Sequence, residues 1–295
     1  SVKWVCDMMR IHWNLKSRPG RTLGGNITIF IFLCLVGTVM VLPMIYIISS
    51  AFKPLDELFM FPPRFFVRNP TLDNFKNLGS LLGESSVPIS RYFMNTVFLT
   101  LVTTAAHIII ASLAAYVLEK RVFPGKNAIF SMIVLSLMFS SSVTSIPNYM
   151  ILSKLGWINT YWAVIVPQVG STLGLYLMKQ FMCTVPDSLL ESSRIDGAEE
   201  FTIFWKIVMP IVKPAWLTLI IMLFQSIWGL TGSNVLFDEQ LKPLNYAISQ
   251  IISGGISRTG VGSAVTFLMM LVPLSVFIIT QSNIIETMAS SGMKD

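Results

Sequence analysis

The sequence predicts an all-α integral membrane protein, and three observations carry that prediction. Hydrophobic residues make up 53% of the chain and charged residues only 12%, well below the roughly 25% charged share of soluble domains. Mean hydropathy is +0.68. Apolar runs near the ~20 residues a helix needs to cross a bilayer recur along the chain. None alternates as a barrel strand does, and backbone groups in lipid must bond within their own segment, so the runs are read as helices.

Residues 1–26 hold five basic residues (Lys3, Arg10, Lys16, Arg18, Arg21) against one acid, with Trp4 and Trp13 among apolar neighbours. That composition suits either a short helix at headgroup level or a disordered cytoplasmic tail. The chain opens on Ser1, so the native start is expected to lie upstream. Six spans are expected, at residues 27–48, 92–118, 128–149, 161–181, 215–230 and 262–284, with a short tail at 285–295. The segment before the second span is polar and rich in proline (Pro54, Pro62, Pro63, Pro70, Pro88), and the third span is expected to end in the polar run 140–147. Residues 119–127 carry three basic residues and the loop after Tyr149 only Lys154, which places both termini in the cytoplasm. The net charge of +6 is spread between apolar runs and is read as topology, not as a nucleic-acid surface. Cys6, Cys34 and Cys183 show no paired or metal-ligand spacing and are expected to be structural thiols.

Residues 182–214, between the fourth and fifth spans, are the informative stretch. From Asp187 to Lys206 there are five acids and two bases, a local charge of −3. A segment meant for anionic lipid should be basic. Pro186 suits a first helical turn, Asp196-Gly197 a turn or helix stop, and a second helix is expected from Ala198, with Ala198, Phe201, Trp205 and Val208 on one face, until Pro210 and Pro214 limit it. Ser188 and Glu191 also have capping-box spacing, so Glu191 has an alternative role in starting a helix. Small residues at Ser192, Ser193, Gly197 and Ala198 permit close approach by another surface, which points to a docking element for a soluble protein.

At Glu191, Ser192, Ser193, Gly197, Ile207, Met209 and Pro210 the chain resembles ABC importer permeases, whose signature is Glu-Ala-Ala, three residues, Gly, nine residues, then Ile-x-Leu-Pro. Asp196-Gly197-Ala198, Ile146-Pro147-Asn148-Tyr149, Leu155-Gly156 and Asn159-Thr160 are similar to the carbohydrate branch, in particular the second permease of maltose-type importers. The resemblance implies a type I importer permease fold with six transmembrane helices and a coupling helix between the fourth and fifth. Glu191, Ser192, Ser193, Asp196, Gly197, Ala198, Ile207 and Pro210 would then meet an ATPase. It also implies a second homologous permease, two cytoplasmic ATPase subunits, an extracytoplasmic solute-binding protein, a carbohydrate cargo expected to be an oligosaccharide, and a bacterial cytoplasmic membrane. ATP and Mg would bind the ATPase subunits, and this chain would bind no cofactor or metal and hold no catalytic residue. Gly125-Lys126-Asn127 lacks the earlier glycine and the Ser or Thr of a phosphate loop.

Within the spans, Ser142, Ser145, Asn148, Gln168, Ser171 and Gln225 are candidates for a sugar path, with Ser141 and Thr172 beside them, because hydroxyls and amides exchange bonds with a sugar as water does. The competing role for such residues is bonding between or within helices. His107 is the lone ionisable side chain deep in a span and is either functional or bonded to a neighbouring helix. Trp228-Gly229 departs from the Trp-Asn common in sugar permeases. The loop 231–261 would touch the binding protein, or else serve as a connector. A secondary transporter, an intramembrane enzyme and an importer of a non-sugar solute are the rival readings.

Overall fold

The computed structural model describes residues 23–83, 87–255 and 258–291, so residues 1–22 and the end of the tail lie outside the description. In chain order the helices are α1 (Leu23–Ala51), α2 (Leu55–Leu58), α3 (Asp73–Gly83), α4 (Ile89–Lys120), α5 (Lys126–Ser136), α6 (Ser141–Lys154) and α7 (Trp162–Val169). They continue with α8 (Thr172–Met182), α9 (Asp187–Ile195), α10 (Glu200–Ile203), a π-helical turn (Phe204–Val208), α11 (Met209–Ile211), α12 (Lys213–Trp228), α13 (Leu244–Ser253) and α14 (Thr259–Ser291). No strand is assigned among the described residues. Gly24–Ala51, Ile89–Lys120 and Thr259–Gln281 are long and apolar enough to cross a membrane, and Glu200–Ile211 with Lys213–Trp228 passes the same test as a pair bent by 75°.

The expected third and fourth spans are each broken in two. Helix α5 tightens at its end, where Leu137, Met138 and Phe139 donate to carbonyls three residues back, and Ser140 is extended before α6 begins. The polar run 140–147, expected to end a span, instead forms the start of α6. The fourth stretch breaks at Gly170 and Ser171 between α7 and α8. There the Val169 carbonyl faces His107 Nδ1 at 2.8 Å. His107 is fully buried, so the lone deep ionisable group serves as the bond that closes a helix break.

Helix α4 is the centre of the molecule. It packs against α7, α8, α12 and α13, while α1 lies outside and packs along α14. A buried stripe runs the length of α4 from Tyr92 through Leu99, Thr103, His107 and Ala115 to Leu118. Gly174 of α8 meets it so closely that a Cβ there would lie 1.9 Å from His107 Nε2.

At the Ile89 end of α4 the described parts of the proline-rich segment and of the loop, residues 52–83 and 231–255, are tied down by hydrogen bonds. Asn74 Nδ2 donates to the Ala51 and Lys53 carbonyls, and the Glu57 carboxylate accepts from the Arg68 and Asn69 amides. Asn95 Nδ2 donates to the Gln240 and Lys242 carbonyls at 2.7 and 3.0 Å, and Tyr92 Oη donates to Glu239 at 2.6 Å. Thr96 Oγ1 accepts the Leu244 amide. Asn159, at φ 62°, accepts the Phe237 and Asp238 amides on its side chain. Helix α13 then buries Leu244, Ile248 and Ile251 against Leu78, Tyr92 and Val265. The loop is thus a packed platform, not a plain connector.

Candidate functional site

The acidic stretch forms a helix, a glycine turn and a second, irregular helix. Helix α9 begins at Asp187 with Pro186 in the N-cap position, so the capping-box role for Glu191 is not realised. Gly197 has φ 82°, a conformation open to glycine and strained for other residues. Its amide donates to the Arg194 carbonyl and that of Ala198 to the Ser193 carbonyl, both at 3.0 Å, the paired bonds of a Schellman stop. After it, the helical face differs from expectation. Ile203, Phe204 and Val208 are buried, whereas Phe201 is 67% exposed and Trp205 is exposed too. The π-helical turn explains how Pro210 is tolerated. Proline clashes with the carbonyl four residues back and brings no amide, and a widened turn just before it relieves both demands. At Val212 the chain bends by 75° into α12, with Trp216 Nε1 donating to the Met209 carbonyl across the bend at 3.1 Å.

An apolar cluster seats this element on the spans: Leu190, Ile203, Phe204, Val208 and Val212 pack with Ala115 and Tyr116 of α4 and with Met178 and Met182 of α8. A charged set then fixes its orientation. Consecutive residues at the end of α4 reach three different elements. Glu119 pairs with Lys179 of α8 at 3.0 Å, Lys120 pairs with Asp187 at 2.8 Å and donates to the Val185 carbonyl, and Arg121 pairs with Glu200. Glu200 also takes Arg194 Nε and Tyr116 Oη, each at 2.8 Å. Burying one leucine contributes about 1.5–3 kcal/mol and a surface ion pair about 0.2–1 kcal/mol, so the cluster holds and the charges aim.

The Lys120 ammonium, first by its hydrogen bond and then by its charge, holds the Asp187 carboxyl below the ordinary carboxylate range. A carboxyl more acidic when folded stabilises above its unfolded pKa, and that contribution disappears as pH falls through the folded value. Amide-exchange protection of α9 is therefore expected to hold from neutral pH down to about pH 4 and to fall below it. Asp187→Asn is expected to remove that acid step.

The expected coupling residues divide between two sides of this element. Glu191, Ser192, Asp196, Gly197 and Pro210 are exposed. Ser193 is buried with its hydroxyl on the Leu189 carbonyl, and Ala198 and Ile207 are half-buried against the apolar cluster, so these three face the chain's own core. Two apolar side chains join the exposed set: Ile195, 86% exposed, and Phe201. The expected single face of Ala198, Phe201, Trp205 and Val208 is thus split, with Phe201 and Trp205 outward and Val208 inward, and Ile195 was not among the expected residues. The exposed ridge therefore combines Ile195 and Phe201 with the carboxylates of Glu191, Asp196 and Glu199, none of which has a side-chain partner among the described residues.

A family model for the inner membrane component of binding-protein-dependent transport systems matches residues 78–287, which contain this element and α4 through most of α14. The chain belongs to that family. This permease is 31% identical over 251 residues to protein LplC of Bacillus subtilis strain 168, covering 83% of this chain and 80% of LplC. It is 29% identical over 249 residues to the polygalacturonan/rhamnogalacturonan transport system permease protein YtcP of the same organism, covering 81% and 84%. Its fold matches that of a chain in the crystal structure of a bacterial ABC transporter that imports the acidic polysaccharide alginate, with a TM-score of 0.74 at 19% identity over 90% of this chain and 99% of that one. The permease is accordingly a non-catalytic membrane subunit working with a solute-binding protein.

The candidate path residues of the permease are only partly gathered. Asn148 and Gln168 line one cavity of about 200 Å³, together with Pro167 and the loop from Leu230 to Val235. Ser142, Ser145 and Gln225 are exposed elsewhere, and the Ser145 hydroxyl donates to the Ser142 carbonyl at 2.8 Å. Ser171 and Thr172 are half-buried at the break before α8. The side chain of Ser141 lies outside the description. Trp228 is buried, stacks on Phe224 and donates to the Met269 carbonyl, so it ties α12 to α14. Thr231, Ser233 and Asn234 were missed because their loop was read as a binding-protein contact or a connector, and not as part of a path. Among the described residues no His, Cys, Asp and Glu group could hold a metal, and Cys34 and Cys183 are free thiols.

Proposed function

We propose that this permease forms half of the translocation path of an ATP-driven oligosaccharide importer in a bacterial cytoplasmic membrane, with both termini in the cytoplasm. The observation that carries the reading is the ridge at Gly197: exposed Ile195 and Phe201 bordered by unpartnered carboxylates, on an element fastened to α4. Exposed apolar anchors with a charged rim suit a protein partner better than water or lipid. In this reading two cytoplasmic ATPase subunits, which hold ATP and Mg, receive the ridge and that of a second, homologous permease. The two permeases then alternate between inward-open and outward-open arrangements.

The platform at the Ile89 end of α4 would face the solute-binding protein. Polygalacturonan and rhamnogalacturonan in the name of YtcP, and alginate as the cargo of the solved importer, support an acidic oligosaccharide as solute. Asn148, Gln168, Thr231, Ser233 and Asn234 offer the amides and hydroxyls that a sugar would exchange for water. Capture of the tagged permease from native membranes is expected to bring down ATPase subunits and a second permease. Binding of uronic-acid oligosaccharides to the cognate binding protein is expected to exceed that of neutral ones. Recovery of the chain alone would refute the importer, and a preference for neutral sugars would refute the acidic cargo.

A further inference from the structure

We infer that α4 is a stiff rod that makes the coupling ridge at its Lys120 end and the loop 231–245 at its Ile89 end move together, with Glu200 and Asn95 as positioning residues at the two ends. Of the three helices among the described residues that are long and apolar enough to cross a membrane, α4 alone contains neither proline nor glycine; α1 holds Pro43 and α14 holds Pro273. Its 32 residues span about 48 Å at 1.5 Å per residue. Its own His107 side chain holds its middle against the neighbouring helices, through the Val169 carbonyl and the close approach of Gly174.

Both ends carry linkages that are too specific to be general packing. Glu200 binds three partners with one carboxylate: Tyr116 within α4, Arg121 just past its end, and Arg194 of α9 beside the Gly197 turn. Lys120, with a side chain only 5% exposed, fastens the other end of α9 through Asp187 and Val185. Helix α9 is thus tied to α4 at both of its termini. At the far end, Asn95 spends its amide on Gln240 and Lys242 and accepts Tyr161 Oη on its oxygen, while Tyr92 holds Glu239. A push on the ridge is therefore delivered to the loop without passing through a flexible joint.

The inference rests on the importer reading, because it needs an ATPase at one end and a binding protein at the other. The test uses the whole complex purified from native membranes into lipid nanodiscs. ATP hydrolysis is measured with and without solute-loaded binding protein, and copurified ATPase is quantified. Glu200→Gln and Asn95→Leu are each expected to keep copurified ATPase within about twofold of wild type and to cut stimulation by the binding protein at least about fivefold, since each breaks the same coupling between sites. Tyr92→Phe, which loses only its hydroxyl bond to Glu239, is the milder variant at the far end and should move in the same direction. Unchanged stimulation in Glu200→Gln, or in both Asn95→Leu and Tyr92→Phe, overturns the rod. Loss of ATPase from Glu200→Gln also overturns it, by making that residue a docking support alone. A wild-type complex without ATPase would defeat the importer reading itself, which is a separate failure.

Discussion

Replacing Gly197 with proline is expected to abolish transport while leaving the membrane helices folded. Gly197 sits at φ 82°, and proline is fixed near −65°. The substitution also removes the amide that donates to the Arg194 carbonyl and pushes Asp196 away from its φ −71° and ψ 1° toward extended backbone. Each of these conflicts costs on the order of 1–3 kcal/mol, enough together to unseat the turn between Arg194 and Glu200. Gly197→Ala is the instructive companion. No atom lies within 4 Å of where its Cβ would go, so only the left-handed backbone is penalised, by roughly 1–2 kcal/mol, and partial transport should survive. Uptake, ATPase copurification and helical content by circular dichroism separate the cases. Proline at this position with wild-type uptake would mean that the ridge does not couple.

Gly174→Ala is expected to be the most damaging single methyl in the molecule. The added Cβ would meet His107 Nε2 at 1.9 Å and Cε1 at 2.7 Å, and the ring cannot swing away without giving up Val169. Overpacking of a tight interior costs about 1–3 kcal/mol, and the buried ring places this clash toward the upper end. His107→Ala alone leaves the Val169 carbonyl unpaired at the α7–α8 break, at a cost of about 1–3 kcal/mol. In the double variant the clash disappears, so it should be more stable than the two single losses predict by at least about 1 kcal/mol. Thermal unfolding of the three variants in detergent measures the difference, and strict additivity would contradict the contact.

The long helices were legible because a run of apolar residues needs no tertiary information to be recognised. Helices α1, α4 and α14 overlap the stretches 27–48, 92–118 and 262–284 where spans were expected, and run seven, five and ten residues longer. Apolarity does not report continuity, however. Ser140 and Ser171 break helices because of local backbone geometry, while Pro43, Pro147, Pro167 and Pro273 all sit inside assigned helices. The break after Val169 is tolerable through a residue 62 positions before it, His107, and no local pattern predicts that partner.

The turn at Gly197 was legible for a simple reason: Asp-Gly after a short helix leaves the backbone few alternatives. The face of the following helix was not. Four of the five residues from Phe201 to Trp205 are apolar, so periodicity cannot choose among faces, and Glu200 decides the matter by its bonds to Tyr116, Arg121 and Arg194. The basic residues after Leu118 were read as a sign of membrane orientation. They are also the clamps on the acidic element, and two of the five acids that suggested a partner, Asp187 and Glu200, are paired within the chain. What remains outward is a smaller and more apolar surface than the charge count implied.

The bend at Val212 gives the element a mechanical character. Two arms meet there at 75°, one of 12 residues from Glu200 and one of 16 residues to Trp228, or about 18 Å and 24 Å long. The Trp216 indole braces the corner against Met209. A braced corner of this kind would work as a bell crank: a shove of about 3 Å on the Glu200 tip, at right angles to the short arm, would swing the tip of the long arm by about 4 Å, in the ratio of the two lengths. Motion at the Glu200 end would thereby be delivered at Trp228, beside the loop whose residues line the Asn148 and Gln168 cavity.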